Sequence, residues 1–290
     1  MAMVVVLADS NALRNPDLHA YLAASPGHLI ALSDLTVTEM LKKNALTTAR
    51  QSLRVVSFFP EQTLVLRQTH EILEERVSRA ADACAFFDAN ATEDVRALSH
   101  DLQVEPAPLD LALRMAAMER EAAHRHALLR DEVAPMEAGL VETLKDFRRE
   151  EIVQLRTGQG VTEAARRKLV ELLKETVRDF IIRNQEPDRR APMKFAEATQ
   201  MFAFRYALCV TLYYLLWVQT GRQTGVNLER RVNDVVDLQL AAMGTFFNGV
   251  ISRDRRLQLV SANARKGLRD WAAYVGSEFR DALAAAPGRA

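Results

Sequence analysis

The chain has 290 residues, 49% of them hydrophobic, enough for one large domain or two ordinary ones with a full core. Lys plus Arg and Asp plus Glu each number 38, so no overall field draws the protein to nucleic acid or to an anionic membrane. Cys84 and Cys209 lie far apart in apolar helical context, as expected of buried, reduced thiols in a cytoplasmic protein and not of metal ligands.

The first element is Val4-Val5-Val6-Leu7-Ala8, a short β-branched run that reads as a buried strand and stops at Asp9. It is too short and lacks the basic flank for a secretory signal. Asn15-Pro16 starts a helix carrying Leu18, Tyr21 and Leu22, closed by Ser25-Pro26-Gly27. Leu29 to Leu32 is a second strand, and strand, helix, strand in about thirty residues is the size of a parallel crossover unit. Ser33 or Asp34 caps the next helix, which carries Glu39 and continues, with a break, through Leu53. Val55, Val56 and Phe58, closed by Pro60, predict a third strand.

From about Gln62 the period becomes helical. Amphipathic helices are expected over 62–88, 108–132, 135–156, 162–184 and 192–220, with Pro106, Pro108, Pro135, Gly158, Gly160 and Pro187 as breakers. Phe202 to Val218 is the longest apolar segment, but it contains Arg205 and is short for a bilayer, so it reads as the central helix of a helical layer. Tyr206, Tyr213, Tyr214 and Trp217 read as core or subunit contact. Thr157-Gly158-Gln159-Gly160 is an interhelical turn with Thr162 as a cap, and His124 and His126 read as surface residues. Asn227 to Phe247 is a further helix, Gly249 to Ser252 a strand, and Leu257 to Ala286 mostly helix. The α/β style at both ends predicts a discontinuous domain, residues 1–65 and 226–290, around an all-helical insertion at 66–225.

Acids stand where the strands end. Asp9 follows the first strand, Glu39 lies on the helix after the second, and Asp254 follows Val250-Ile251-Ser252-Arg253. Asp234 and Asp237 fall in line with the apolar stripe Leu240, Ala241, Gly244 and Phe247, where a lone carboxylate loses several kcal/mol of solvation. Acids delivered to the rim of one sheet make a nest for divalent cations. Each acid also has an ordinary reading. Asp9 could close a turn with Asn11, and Glu39 could form a capping box with Thr36. Asp237 could pair with Arg230 or Arg231, and Asp254 could balance the arginines beside it. Arg253, Arg255, Arg256, Arg265, Lys266 and Arg269 cluster after Asp254, and Arg222, Arg230 and Arg231 before Asp237. Such groups bind phosphates or simply coat a solvated helix face. Trp271 and Tyr274 are the nearest aromatics, too few to signal base stacking.

Leu7-Ala8-Asp9-Ser10-Asn11-Ala12-Leu13 resembles the opening strand and acid turn of PIN-domain nucleases. Leu29 through Glu39 is similar to their second motif, and Asn233 to Asp237 followed by Val250 to Asp254 resembles the third and fourth. The 17-residue step from Asp237 to Asp254 fits the same pattern. The long helical block departs from it, so the resemblance covers about 130 of the 290 residues. It implies an α/β, PIN-like, three-layer parallel-sheet domain and a metal-dependent phosphodiesterase, an endoribonuclease first. Mg²⁺ or Mn²⁺ would be held by Asp9, Glu39, Asp237 and Asp254, with Asp234 as a substitute or outer ligand. Ser10, Asn11 and Ser252 would steady water, phosphate or carboxylate. Arg253, Arg255, Arg256, Arg265 and Lys266 would grip RNA. The helical block would select substrate, dimerise or restrain access, and an inhibitory protein partner stays open. The rivals are a structure-specific DNA nuclease with the same metal chemistry and a non-catalytic interaction protein built on the helical block. An aspartyl-phosphate phosphatase is disfavoured, because Asp9-Ser10-Asn11 lacks a second acid two residues on.

Overall fold

A computed structural model describes residues 3–72, 80–184, 198–221 and 227–284. Four parallel strands form one sheet in the order β3-β2-β1-β4. Strand β1 (Val4–Ala8) runs beside β2 (His28–Leu32) with Val6 opposite Ile30, and beside β4 (Val250–Ile251) with Leu7 opposite Val250. Strand β3 (Thr63–Val65) lies outside β2. The β1–β4 pairing joins opposite ends of the chain, so the two expected α/β halves share a sheet.

Short-range signals explain the first elements. Helix α1 (Pro16–Ala23) has proline at its first position, and the Asn15 side chain accepts from the Asp17 N–H, a standard way to satisfy an orphan donor. Helix α2 (Asp34–Leu41) is capped by Ser33, which accepts from the Thr36 N–H. The Thr36 hydroxyl then donates to the carbonyl of Ala8 at 3.0 Å, pinning α2 to the end of β1. Helix α3 (Ala45–Phe58) starts at Asn44, whose backbone is left-handed, and the Glu119 carboxylate accepts from the N–H groups of both Asn44 and Ala45.

The third strand is not where the sequence predicts it. Val55, Val56 and Phe58 end α3, with Leu53 and Val56 fully buried, and β3 follows a short turn at Pro60–Gln62. Burial of one helical face outweighs the weak β preference of two valines. A single helix over 62–88 is also corrected. That region holds β3, the short helix α4 (Thr69–Ile72) and a 3₁₀ turn at Ala80–Phe86. Helix α5 (Ala89–Asp101), capped by Asp88, was not anticipated.

Helix α6 (Leu109–Val133) matches its predicted span closely, and the helix expected over 135–156 divides into α7 (Met136–Leu144) and α8 (Arg149–Thr157). Gly158 ends α8 in a left-handed conformation, and the Thr162 hydroxyl accepts from the Ala165 N–H as α9 (Glu163–Asn184) begins. Helix α10 (Phe202–Gln219) is long and apolar enough to cross a membrane by length and composition, but most of it is buried against other helices. The part of the expected 192–220 helix at 192–197 lies outside the described residues. Helices α11 (Leu228–Gly244) and α12 (Arg255–Ala284) flank β4. A Cβ on Gly244 would sit 2.3 Å from the Val250 side chain, so glycine is what lets α11 lie this close to the sheet.

Alternate strand residues feed opposite faces, as a two-residue period requires. Leu7 and Ala31 pack with Phe204 of α10, Val236 and Leu240 of α11 and Leu257 of α12. Val6, Ala8, Ile30 and Leu32 pack with Leu18 of α1, Leu53 of α3, Leu98 of α5 and Met115 of α6. Each such fully buried aliphatic side chain contributes ~1.5–3 kcal/mol. Leu173 and Val177 of α9 share the first cluster, so described helices of the expected insertion pack into the core of the α/β unit. A smaller cluster of Phe147, Leu155, Tyr214, Trp217 and Val218 joins the outer helices. Cys209 is buried as expected, whereas Cys84 is exposed.

Candidate functional site

Because the four strands are parallel, the chain leaves all of them at one edge, and the loops there carry acids. Asp9 is the last residue in the ladder of β1: its N–H donates to the Ile251 carbonyl at 3.1 Å. Its carboxylate is buried, and the Ser252 hydroxyl donates to Oδ2 at 2.8 Å. The same Ser252 oxygen accepts from the Asp254 N–H at 2.9 Å, linking the ends of β1 and β4. Glu39 arrives on α2, held by the Thr36–Ala8 bond. Ser10 Oγ stands 2.8 Å from Glu39 Oε2 and 3.4 Å from Asp9 Oδ1, and its single proton goes to the nearer oxygen. Lys42 brings a cation 3.6 Å from Glu39 Oε1.

Asp237 completes the group from α11. Its carboxyl group is pushed up to about 8, by burial first and then by the negative charges of Asp254, Asp9, Glu39 and Asp234. Asp9 is also raised, again by burial first, with Glu39 adding to the effect while its bonds from Ser252 and Ser10 oppose it. Asp237 therefore lies in the field of Asp254 and of two acids from the other end of the polypeptide, Asp9 and Glu39, with its own burial limiting the screening by water. Asp254 is exposed and its Oδ1 accepts from the N–H groups of Arg256 and Leu257, capping α12.

Three of the ordinary readings fail. Glu39 forms no capping box with Thr36, because Ser33 is the cap. No ion pair joins Asp237 to Arg230 or Arg231 among the described residues; Arg231 pairs with Glu137. Asp254, read as balancing the arginines beside it, forms no ion pair with them among the described residues and instead caps α12 at the rim. Among the described residues, no three or more His, Cys, Asp or Glu side chains are drawn together closely enough to hold a metal ion. The side chains lean instead on Ser10, Ser252, Lys42 and the start of α12, the expected response of like charges to one another.

The surrounding assignments divide. Asp234 is buried and turned away from a ligand role: Oδ2 accepts from the Tyr213 hydroxyl and Oδ1 from Arg256, both at 2.7 Å. Arg256 is correspondingly engaged. Arg265 and Lys266 are at the wrong end of the sheet, since α12 runs back along β4 and Arg265 donates to the carbonyl of Asn248, at the start of that strand. About ten residues of helix, ~15 Å, separate them from the acids. Arg253 and Arg255 are exposed beside Asp254 without an ion-pair partner among the described residues. Asn11 is exposed, and its side chain does not cap the turn that follows. Arg222 and the side chains of Trp271 and Tyr274 lie outside the described residues.

Two neighbours of the acids were missed by sequence reasoning. Lys42 is one turn from Glu39, a spacing visible in the chain. His126, read as a surface residue, is half-buried on α6, with Nε2 3.5 Å from Glu229 Oε2. Its pKa is lowered by burial first and then by Lys42, while Glu229 and Glu39 oppose the shift. No local signal could place a residue of α6 beside one of α2.

The chain matches no protein-family model, no curated protein and no solved structure.

Proposed function

We propose that this chain is a PIN-like, divalent-metal-dependent nuclease that hydrolyses phosphodiester bonds at the acidic rim, with RNA as the first substrate to test. The observation that carries the reading is the gathering of Asp9, Glu39 and Asp254 around Asp237, which burial first and then their negative charges raise to about 8. A site built for stability would pair these charges; here Lys42 stands beside Glu39, while Asp9, Asp237 and Asp254 have no ion-pair partner among the described residues. Oxygen donors in negative excess suit Mg²⁺ or Mn²⁺, and Asp9, Glu39, Asp237 and Asp254 are the residues that would hold such an ion. Bound there, the cation would supply Lewis-acid stabilisation for a phosphodiester and its leaving oxygen.

The protein's own groups have separate tasks. Ser252 orients Asp9 and Ser10 orients Glu39 by the short hydrogen bonds already described. Asp237 would have to give up a proton to serve as a ligand, so occupancy by a cation should rise with pH up to about 8. Lys42, Arg253 and Arg255 offer positive charge to the flanking phosphates.

The test is cleavage of labelled RNA and DNA with Mg²⁺ or Mn²⁺ at several salt concentrations, using wild type, Asp9→Asn and Asp254→Asn. Asparagine keeps the cap on α12, so lost activity would not be lost folding. The expected loss is ~10²-fold or more in each variant. Equal cutting by all three proteins would refute the reading. One observation favours a second reading, an interaction protein without catalysis: the acids do not close around a cation as they stand. Metal binding without cleavage of any nucleic acid would support that alternative.

A further inference from the structure

A cavity of about 230 Å³ opens between α7, α10, α11 and the first turn of α12. Its walls include Leu140, Tyr213, Leu216, Trp217 and Leu259, an apolar surface with two aromatic rings. Four arginines also line it, Arg230, Arg231, Arg255 and Arg256, against two carboxylates, Glu137 and Asp234. Those two carboxylates take up two of the cations, because Arg231 pairs with Glu137 and Arg256 with Asp234. Arg230 and Arg255 keep their charge unpaired among the described residues, and both are exposed at the cavity.

We infer that this cavity binds one nucleotide, its base against the Tyr213, Leu216 and Trp217 wall and its phosphate between Arg230 and Arg255. An apolar cleft with a few convergent polar groups is the usual form of a small-molecule site. At this volume it falls below the ~300–1,000 Å³ that encloses a drug-sized ligand, so one ring system fits and the phosphate stays at the arginine mouth. Aromatic walls hold a base by its π face, and a guanidinium pair matches a phosphate. The wall is also fixed in place, because Asp234 accepts from both Tyr213 and Arg256.

The position deepens the nuclease reading, and the source of the nucleotide rests on that reading. Asp234 on the cavity wall is three residues, ~4.5 Å of helix, before Asp237 on α11. Arg255 directly follows Asp254. A strand crossing the acidic rim would leave its next nucleotide at the mouth of this cavity. A free mononucleotide carries the same chemistry and would fill the site equally well.

The experiment is calorimetric titration of the full chain in EDTA, where no cleavage can occur. Adenosine monophosphate is the main probe, with adenosine, inorganic phosphate and a 5′-phosphorylated trinucleotide as separate arms. One-to-one binding of the monophosphate is expected, weakened about tenfold or more in Arg230→Gln and in Arg255→Gln and unchanged in Arg269→Gln. Adenosine and phosphate should each bind at least tenfold more weakly than the monophosphate. Tighter binding of the trinucleotide assigns the site to nucleic acid, and equal binding assigns it to free nucleotide. No binding at millimolar monophosphate, phosphate binding as well as the monophosphate, or insensitivity to both arginine variants would overturn the inference. Because the titration needs neither metal nor cleavage, a protein that binds the monophosphate but cuts nothing refutes the nuclease reading alone.

Discussion

The two edges of the sheet are built on opposite electrostatic principles. At the edge where β1 and β4 begin, polar groups are matched. Asn248 accepts from the Val5 N–H and donates its own N–H to the Val5 carbonyl, Arg265 donates to the Asn248 carbonyl, and the Tyr21 hydroxyl donates to Val4. The Gln62 amide stands within 3.0 Å of the carbonyls of Leu22, Ser25 and His28. At the other edge four acids crowd, and two of them have raised pKa values. Buried polar groups ordinarily find partners, so the difference marks the first edge as scaffold and the second as the edge where negative charge is left largely uncompensated, which is what the proposed cation site requires.

The sharpest way to break that contrast is pH. Burial, and then the negative charges of its neighbours, push the Asp237 carboxyl group up to about 8 from its ordinary value of 3.8. Between those values the native protein holds a proton that the unfolded chain has released, so stability falls as pH rises through the window. Asp9, raised as well, acts in the same direction. In metal-free buffer the loss from about pH 5 to pH 8 should be on the order of a few kcal/mol by denaturant titration. Asp237→Asn should flatten most of that slope and leave the protein more stable than wild type at pH 8. A pH-independent midpoint in wild type would mean that the acids do not feel one another.

A smaller effect is expected at the matched edge. Gln62→Ala removes an amide that ties α1 and β2 to the turn before β3, and should lower stability by ~1–2 kcal/mol. Cleavage per folded molecule should not change, which a rate normalised to the folded fraction would check. A large loss of activity would blur the division between scaffold and site.

Much of the scaffold was legible because its signals are short-range. The β-branched run before Asp9, Asn15-Pro16 at a helix start and Ser33-Asp34 at the next, of which Ser33 is the cap, are each complete within a few residues. The order of Asp9, Glu39, Asp237 and Asp254 was legible too, although their meeting depends on β1 lying beside β4. Where reading failed, tertiary structure had decided. Val55 and Val56 look like strand but fill a helical face over the sheet. Arg265 and Lys266 are neighbours of Asp254 in sequence, yet a helix carries them to the far edge. His126 and the cavity lined by Tyr213 and Trp217 are products of helix packing, which no window of sequence contains.

The smallest expected effect separates the two groups of arginines. Arg253→Gln should weaken substrate binding about two- to threefold and lower the salt slope by ~0.7–0.9, the equivalent of one phosphate contact. Arg265→Gln, at the opposite edge, should leave both unchanged. Equal effects would show that basic charge acts at long range and that position at the rim is irrelevant.

The most direct measurement is Mn²⁺ calorimetry at pH 7 in buffers of different ionisation enthalpy, on wild type and on Asp9→Asn/Asp254→Asn. Wild type should bind Mn²⁺ with release of close to one proton, supplied by Asp237, and the double variant should lose that binding. Identical titration curves for the two proteins, or no binding by either, would contradict the claim that the four acids form a cation site.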